Sequence, residues 1–336
     1  MRLPASIMLA ACAALHLPVI TATAAQAQKA PTVLKIGYAF PQPDLMPLYV
    51  ARDSGCLDSA GIKVESILLS AGDKITFALI GGSLEMAAYT PDWFIRSVER
   101  GGANLKLVLQ ASNLPEYSLI VSPTIASYAD LKGKRLGVSA IKSSDAYFIK
   151  KMMAANGLPE QSFTLIPAGQ SNERASALRA GSVAGTLLFP PLDQRFVDEE
   201  KFKRLDVTSS VIKNYAWKNF AVRDDWAKAN KPIIVEFIKC WMKGARWLFD
   251  PANAEVAVRS IAKETKISEV YAQTAYKDSY RGERPSVRKD GEVDPVGLQI
   301  VIDGIVEQGD LPASPGLVAA KFVDTSFWEE AKRALQ

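Results

Sequence analysis

Lys142, Ser143 and Ser144 form the segment whose residue types most directly suggest ligand chemistry. The two serines precede a run with helical spacing, and serine is a preferred residue at a helix N-cap. A helix N-terminus offers unpaired N–H groups and the positive end of the helix dipole, and both favour an anion. The triplet therefore predicts an anion-binding position, strengthened by the charge of the lysine. Plain helix capping by the serines is an equally good interpretation.

Aromatic residues next to the predicted strands are candidates for an apolar or aromatic pocket. For each one taken singly, packing in the core is the simpler interpretation. Asp92 is the one carboxylate expected near them, and a charge that complements a helix N-terminus is its alternative role. The aromatic candidates are Phe40, Tyr89, Phe189, Tyr215 and Trp217.

The other candidate ligand residues end predicted strands, because ligands bind to open α/β sheets beyond the carboxyl ends of the strands. This set is rich in hydroxyls, amides and aromatics and poor in catalytic groups. No catalytic residue, metal site or cofactor is predicted. The predicted ligand-binding residues are Phe40, Gln42, Gly72, Thr90, Asp92, Ser112, Ser139, Lys142, Ser143, Ser144, Gln170, Phe189 and Trp217.

Histidine usage and charge narrow the classes of function. The only histidine, His16, lies in a predicted leader, so a mature chain without imidazole cannot use Ser-His-Asp catalysis or histidine-containing zinc sites. No phosphate loop or dinucleotide fingerprint occurs. The 40 basic and 36 acidic residues are interspersed without a basic block, so nucleic acid is not an expected partner.

The first 27 residues have the pattern of a cleaved export signal. One charge, Arg2, precedes an apolar run that ends at Ile20, and Ala25-Gln26-Ala27 fits a signal-peptidase site. The run is interrupted by prolines and is shorter than a membrane-spanning helix needs. We therefore expect a periplasmic protein, with lipoprotein anchoring at Cys12 as the minor alternative.

Two cysteines, Cys56 and Cys240, remain after the predicted leader, without metal-type spacing. Each lies in an apolar helical context, so buried thiols are the simplest interpretation. A disulfide is the alternative in an oxidising compartment.

Two segments repeat one pattern: ALIGGSLEMAAYTP at residues 78–91 and ALRAGSVAGTLLFP at residues 177–190. Each predicts a helix end, a Gly-Ser turn and a strand that finishes at an aromatic residue and a proline. The preceding elements repeat as well. Strands are predicted at 33–38, 63–69, 86–89, 105–109, 134–138, 163–166 and 186–189, with helices at 46–59, 74–80, 91–100, 143–156 and 171–181.

Strands that alternate with helices indicate βαβ units and mainly parallel sheets. The repeat therefore predicts an α/β protein of two similarly wound lobes with a ligand cleft between them. Residues 117–122 and 215–223 are expected to cross between the lobes. Lobe I then comprises residues 28–118 and 218–336, including a helix at 232–249, and lobe II comprises residues 119–217.

These motifs resemble the periplasmic solute-binding proteins of nitrate/taurine/aliphatic-sulfonate-type ABC importers. The resemblance covers residues 33–223 well and the helical tail weakly, and it rests mainly on scaffold residues. It implies the type II periplasmic-binding fold, closure of two lobes over a small solute, docking on a membrane permease, and a monomer. The matching segments are KIGY (35–38), PLYVARDSG (47–55), AGIKVE (60–65), ALIGGS (78–83), ADLKGKR (129–135) and ALRAGS (177–182).

One loop departs from a subgroup of this family. Pyrimidine-precursor binders have a Trp-x-Pro-Asn motif and a nearby histidine after the first strand, where this chain has FPQPDLM (40–46). A thiamine-precursor ligand, or an enzyme that consumes its own histidine, is therefore not expected. The leading hypothesis is capture of a small organic anion, a sulfonate or carboxylate with or without an aromatic ring. A sensor subunit for a membrane receptor and a histidine-free enzyme are the alternatives.

Overall fold

The computed structural model describes residues 30–69 and 71–336, so the predicted signal peptide and Cys12 lie outside the described residues. Within this part of the chain, the strands form two five-stranded sheets. The strands are β1 (Thr32–Tyr38), β2 (Ile62–Leu68), β3 (Met86–Tyr89), β4 (Leu105–Ser112), β5 (Ser118–Val121), β6 (Arg135–Val138), β7 (Thr164–Pro167), β8 (Gly185–Leu188), β9 (Lys203–Val207) and β10 (Lys218–Arg223).

Both sheets have the same topology. Their strand orders are β2-β1-β3-β10-β4 and β7-β6-β8-β5-β9. In each, a single antiparallel strand occupies the fourth position: β10 pairs antiparallel with β3 and β4, and β5 pairs antiparallel with β8 and β9. The other strands run parallel, as predicted for a two-lobed α/β fold. We call the first sheet with its helices lobe I and the second lobe II; the boundaries given above stay a prediction.

The helices follow the strands at the expected places. The one clear difference is the helix predicted at 46–59, which is broken at Gly55, whose φ of 73° cannot continue a right-handed helix. The helices are α1 (Met46–Asp53), α2 (Cys56–Ser59), α3 (Gly72–Ile80), α4 (Pro91–Gly101), α5 (Ser144–Ala155), α6 (Ser171–Arg179), α7 (Leu192–Asp198), α8 (Asp224–Ala229), α9 (Lys231–Phe249), α10 (Ala254–Thr265), α11 (Glu269–Tyr276), α12 (Pro295–Glu307) and α13 (Ser326–Arg333).

The two repeated segments occupy equivalent places. The first contains the end of α3 and all of β3, and the second contains the end of α6 and all of β8. Because β3 and β8 are each the third strand of their sheet, the repeated pattern codes for the same unit in both lobes. No helix within the described residues is long and apolar enough to cross a membrane.

A disulfide joins Cys56 in α2 to Cys240 in α9. Buried thiols were the simpler interpretation of the sequence. That interpretation is wrong, and the disulfide, its alternative, is the one found. The reason is tertiary: α9 packs along α1 and α2, which brings together two residues 184 positions apart. A cross-link that closes so long a loop restricts the unfolded chain strongly.

Gly244 sets the separation between α9 and α1. An added Cβ at this position would lie 2.3 Å from the carbonyl oxygen of Pro47, a backbone atom that cannot move aside without shifting α1. Gly101, at the end of α4, has a negative φ, and a Cβ added there would have no other atom within 4 Å.

Gly244→Ala is therefore expected to lower the free energy of unfolding by about 1–3 kcal/mol, the usual cost of overpacking. Gly101→Ala is the matched control and is expected to be neutral or slightly stabilising. Urea denaturation of both variants checks this. Equal stability of the two variants would contradict the close helix contact.

Candidate functional site

Among the helices that begin just beyond parallel strands, four have predicted ligand residues at or next to their starts. They are α3 and α4 in lobe I and α5 and α6 in lobe II. Of these four helices, as the structure describes them, α5 alone has a side-chain cap: Ser143 accepts from the N–H of Ala146 at 3.4 Å. The first turns of the other three helices therefore keep unpaired N–H donors, which carry the positive end of the helix dipole.

Asp145 organises the predicted hydroxyls of lobe II. Its carboxylate accepts from the N–H of Ser139 at 2.7 Å and from the Ser139 hydroxyl at 2.6 Å. The Ser143 hydroxyl donates to the same carboxylate and to the carbonyl of Ala140. These two serine donors are engaged within the lobe, so the predicted anion site cannot use them without rearrangement. Ser144 lies beside the buried Tyr215 hydroxyl instead.

Arg174 balances the charge of Asp145, at 3.5 Å. It is only 1% exposed and donates to the carbonyls of Gly169 at 2.9 Å and Leu187 at 3.0 Å. It thereby ties the loop that follows β7 to strand β8. Arg174 was not predicted, because Ser-Asn-Glu-Arg is typical of the polar first turn of any helix.

The ammonium of Lys142 is already paired within the protein. Its ammonium donates to the carbonyl of Gly309 at 3.0 Å and lies 3.5 Å from the carboxylate of Asp310. Arg96 bonds to Asp310, to Asp92 and to the Lys142 carbonyl. Asp92 is thus the ion-pair partner of Arg96, and the group fastens α4 of lobe I to the loop before α5 of lobe II.

Gln42 and Ser112 belong to a buried network under the first loop of lobe I. Its centre is the ion pair of Lys218 and Asp44, at 2.8 Å. Ser112 donates to Asp44 at 2.9 Å, and Gln42 accepts from Lys218. Neither Asp44 nor Lys218 was predicted, because an isolated charge in a loop or strand carries no sign of a distant partner.

Three predicted aromatic residues come together. Phe189 lies 6.3 Å from Phe40 of lobe I and 6.0 Å from Trp217, measured between ring centroids. Tyr117 completes the group, stacked on Phe189 at 3.8 Å and 5.6 Å from Trp217. We call Phe40, Tyr117, Phe189 and Trp217 the aromatic cluster. Phe40 is its most open member, 43% exposed.

The cluster joins both lobes and both crossings. Tyr117 precedes β5, Trp217 precedes β10, and Phe189 follows β8. Phe148 of α5 packs behind it, 5.8 Å from Trp217. The sequence had assigned Tyr117 only to a crossing and Phe148 only to a helix, because no local feature distinguishes them from core residues.

Gly72, Thr90 and Gln170 mark the remaining helix starts. A Cβ on Gly72 would lie 2.6 Å from the ring of Tyr89, so glycine is what lets α3 begin against that ring. Thr90 is buried at the start of α4, and Gln170 is exposed at the start of α6. Nothing in their contacts assigns them to a ligand, and they stay predictions.

Glu116 immediately precedes the first crossing, next to Tyr117. Its carboxylate accepts from the hydroxyl of Ser279 at 2.9 Å and from that of Ser286. Burial, together with the nearby charge of Asp44, raises the pKa of Glu116 to about 7, and the serine hydrogen bonds only partly oppose the shift. The ordinary glutamate pKa is 4.5.

A folded-state pKa above the unfolded one means that the folded protein keeps a proton that the unfolded chain loses between pH 4.5 and 7. The free energy of unfolding therefore falls over this interval as pH rises, by up to about 3 kcal/mol. In Glu116→Gln this fall is absent. Urea denaturation at pH 5 and 8 measures it, with Glu255→Gln, a 90% exposed side chain, as control. Parallel pH dependence in wild type and Glu116→Gln would contradict the buried carboxyl.

The fold and the facing strand ends define a two-lobed α/β protein of the periplasmic-binding-protein type. The model of the NMT1/THI5-like family matches residues 42–254, more than half of the chain, and the chain belongs to this family.

Known proteins with a similar fold include binding proteins and an enzyme. The nitrate-binding protein NrtA of Synechocystis PCC 6803 superposes with a TM-score of 0.77 at 16% identity, covering 91% of this chain and 89% of its own. The alkanesulfonate-binding protein SsuA of Xanthomonas axonopodis pv. citri, bound to MOPS, gives 0.69 at 19% identity, covering 89% and 100%. The desulfurization enzyme DszB gives 0.67 at 14% identity, covering 90% and 99%.

In sequence, the nitrate/nitrite-binding protein NrtA of Nostoc sp. is 18% identical over 260 residues. The match takes in 71% of this chain and 59% of that protein, so the chain spans about three fifths of its curated relative.

Proposed function

We propose that the protein is the solute-binding component of an ABC importer and captures a small organic anion between its lobes. The ligand has an anionic headgroup, a sulfonate or carboxylate, and an apolar or aromatic body. The partner is a permease in the inner membrane, the protein acts as a monomer, and neither a cofactor nor nucleic acid takes part.

The aromatic cluster is the observation that carries this proposal. Phe40 comes from lobe I and Phe189 from lobe II, and their rings meet edge to face at 6.3 Å. A flat or apolar body placed between these rings would exchange one aromatic contact for two, and each is worth about 0.5–1.5 kcal/mol beyond area burial. A motion that separates Phe40 from Phe189 would open such a site without disturbing the packing behind Trp217.

The helix starts support an anionic headgroup. Asp145 and Asp92, the two acids at these helix starts that are buried, are each neutralised by an arginine, Arg174 and Arg96. The starts of α3, α4 and α6 have no N-cap side-chain hydrogen bond, and free first-turn N–H groups favour negative charge. Since Lys142 is paired with Asp310, we assign the headgroup to these N–H groups and Ser144, with the Lys142 ammonium as a more distant charge.

The names of the relatives agree with an anionic solute. NrtA and SsuA are described as binding nitrate and alkanesulfonate. The aromatic cluster of this chain favours a larger anion than nitrate, because its four rings can contact an apolar ligand body.

An oxidising compartment fits both the predicted signal peptide and the disulfide. A structural disulfide persists in the periplasm and is rare in the cytosol. We therefore place the protein in the periplasm, where a solute-binding component meets its permease.

The ligand is identified by the melting temperature of the purified protein against sulfonates, carboxylates, nitrate, taurine and heterocycles. A ligand at 100 times its Kd stabilises the fold by about 2.7 kcal/mol, a shift of several degrees. We expect a shift from one class of organic anion, with the compound recovered unchanged. Conversion of the compound to a product would instead revive the enzyme alternative.

Phe189→Ala is expected to weaken that anion at least about tenfold, because the ring loses its contact with the ligand body. Phe77→Ala is the matched control: Phe77 is 68% exposed on α3, away from the cluster. Calorimetric titration measures both. Equal weakening in the two variants, or none in either, would remove the aromatic cluster from the site.

A further inference from the structure

A cavity of 350 Å³ lies beside the first crossing. Its walls are formed by residues 114–118, where the chain enters that crossing, by lobe II residues between 190 and 213, and by the C-terminal segment 274–286. Tyr117 is the one member of the aromatic cluster that it touches. The volume is within the range of small-molecule sites, and both lobes contribute to the walls.

Carboxylates outnumber cations in the lining. Glu116 and Asp193 lie at the base, and Asp278 and Glu283 at the exposed rim. Asp193 is 1% exposed and accepts from the Ser118 hydroxyl at 2.5 Å. Burial raises the pKa of Glu116, Asp193 and Asp278 alike, and a cation bound beside them would favour their charged forms.

The cations of the lining already donate to the protein. Arg204 bonds to Asp193 at 3.1 Å, Lys213 to the carbonyl of Ser209 at 3.0 Å, and Arg284 to the carbonyl of Lys213. Asp278 and Glu283 have no ion-pair partner within residues 30–69 and 71–336. The lining therefore has four carboxylates and three cations, and of the carboxylates only Asp193 is paired with a cation of the described residues.

Gln194 supplies an independent sign of a missing donor. Its side chain lines the cavity and is 8% exposed, yet its carbonyl oxygen has no hydrogen-bond partner in the described part of the chain. A buried acceptor left unpaired is unfavourable, and a ligand N–H that bonds to it would remove this cost.

We propose that this cavity binds a small organic cation, an alkylammonium or alkylguanidinium. The charged group lies between Glu116 and Asp278 and donates to Gln194 after a small side-chain adjustment. The alkyl stem packs on the apolar part of the wall, which is formed by Leu114, Pro115, Pro190 and Val207.

The site is separate from the proposed anion site and does not depend on it. The two share only Tyr117, which presents its ring to the aromatic cluster and also borders the cavity. A cation titration without any anionic ligand therefore tests this proposal alone.

The probe is n-butylammonium, titrated calorimetrically into the purified protein in an amine-free buffer, with n-butanol as the neutral analogue of equal size. We expect saturable binding of one n-butylammonium per chain and none of n-butanol. Glu116→Gln keeps an acceptor for Ser279 and Ser286, and Asp278→Asn alters an exposed side chain, so both are expected to fold. Each should weaken n-butylammonium about tenfold, the effect of losing one charged hydrogen bond.

Glu255→Gln removes an exposed carboxylate that does not line the cavity and is expected to bind n-butylammonium as wild type does. Three results would each overturn the proposal: no saturable binding of n-butylammonium at millimolar concentration, equal binding of n-butanol, or unchanged affinity in both Glu116→Gln and Asp278→Asn.

Discussion

The contact of Phe189 with Tyr117 and Trp217 is the interaction on which the rest of the site depends. Tyr117 and Trp217 lie in the two segments where the chain passes between the sheets, and Phe189 follows the central strand of the second sheet. The strands that these segments lead into, β5 and β10, take the fourth position of their sheets with reversed direction. Packing at the crossings therefore positions β5 and β10 against the parallel strands β8 and β3. The ends of the parallel strands in turn position the starts of α3 to α6.

Buried ion pairs fix the loops at these strand ends. In lobe I, Lys218 and Asp44 hold the loop after β1 against the start of β10. In lobe II, Asp145 and Arg174 hold the loops after β6 and β7 against strand β8. Burying charges is costly unless their hydrogen bonds are nearly complete, so such pairs define geometry more than they add stability. By engaging most side-chain donors, they leave backbone N–H groups and aromatic rings as the groups open to a ligand.

The regular architecture could be predicted from the sequence because it is coded locally. Alternating apolar strands and capped helices predicted two mainly parallel sheets. The repeated segments 78–91 and 177–190 predicted that the two sheets are equivalent. Trp217 was selected because it lies in a crossing between the lobes, and Phe40 and Phe189 were selected because each lies just beyond the end of a strand. That rule follows from topology and holds without knowledge of distances.

The partners of polar residues could not be predicted, because they are set by contacts between distant segments. Ser139 and Ser143 have the residue types of an anion site, yet Asp145 takes their hydroxyl donors. Lys142 is matched with Asp310, 168 positions later, and Cys56 with Cys240. Glycine at position 55 was visible, but whether the chain passes it in a helical or a left-handed conformation depends on how α2 must reach α9.

The most direct test of the central claim, a small anion held on the aromatic cluster between the lobes, is a crystal structure. The protein should be crystallised with the compound that raises its melting temperature most. The account predicts ligand density between Phe40 and Phe189, with the headgroup within hydrogen-bonding distance of the first-turn N–H groups of α3, α4 or α6. Density elsewhere on the molecule, with the Phe40–Phe189 contact intact, would contradict it.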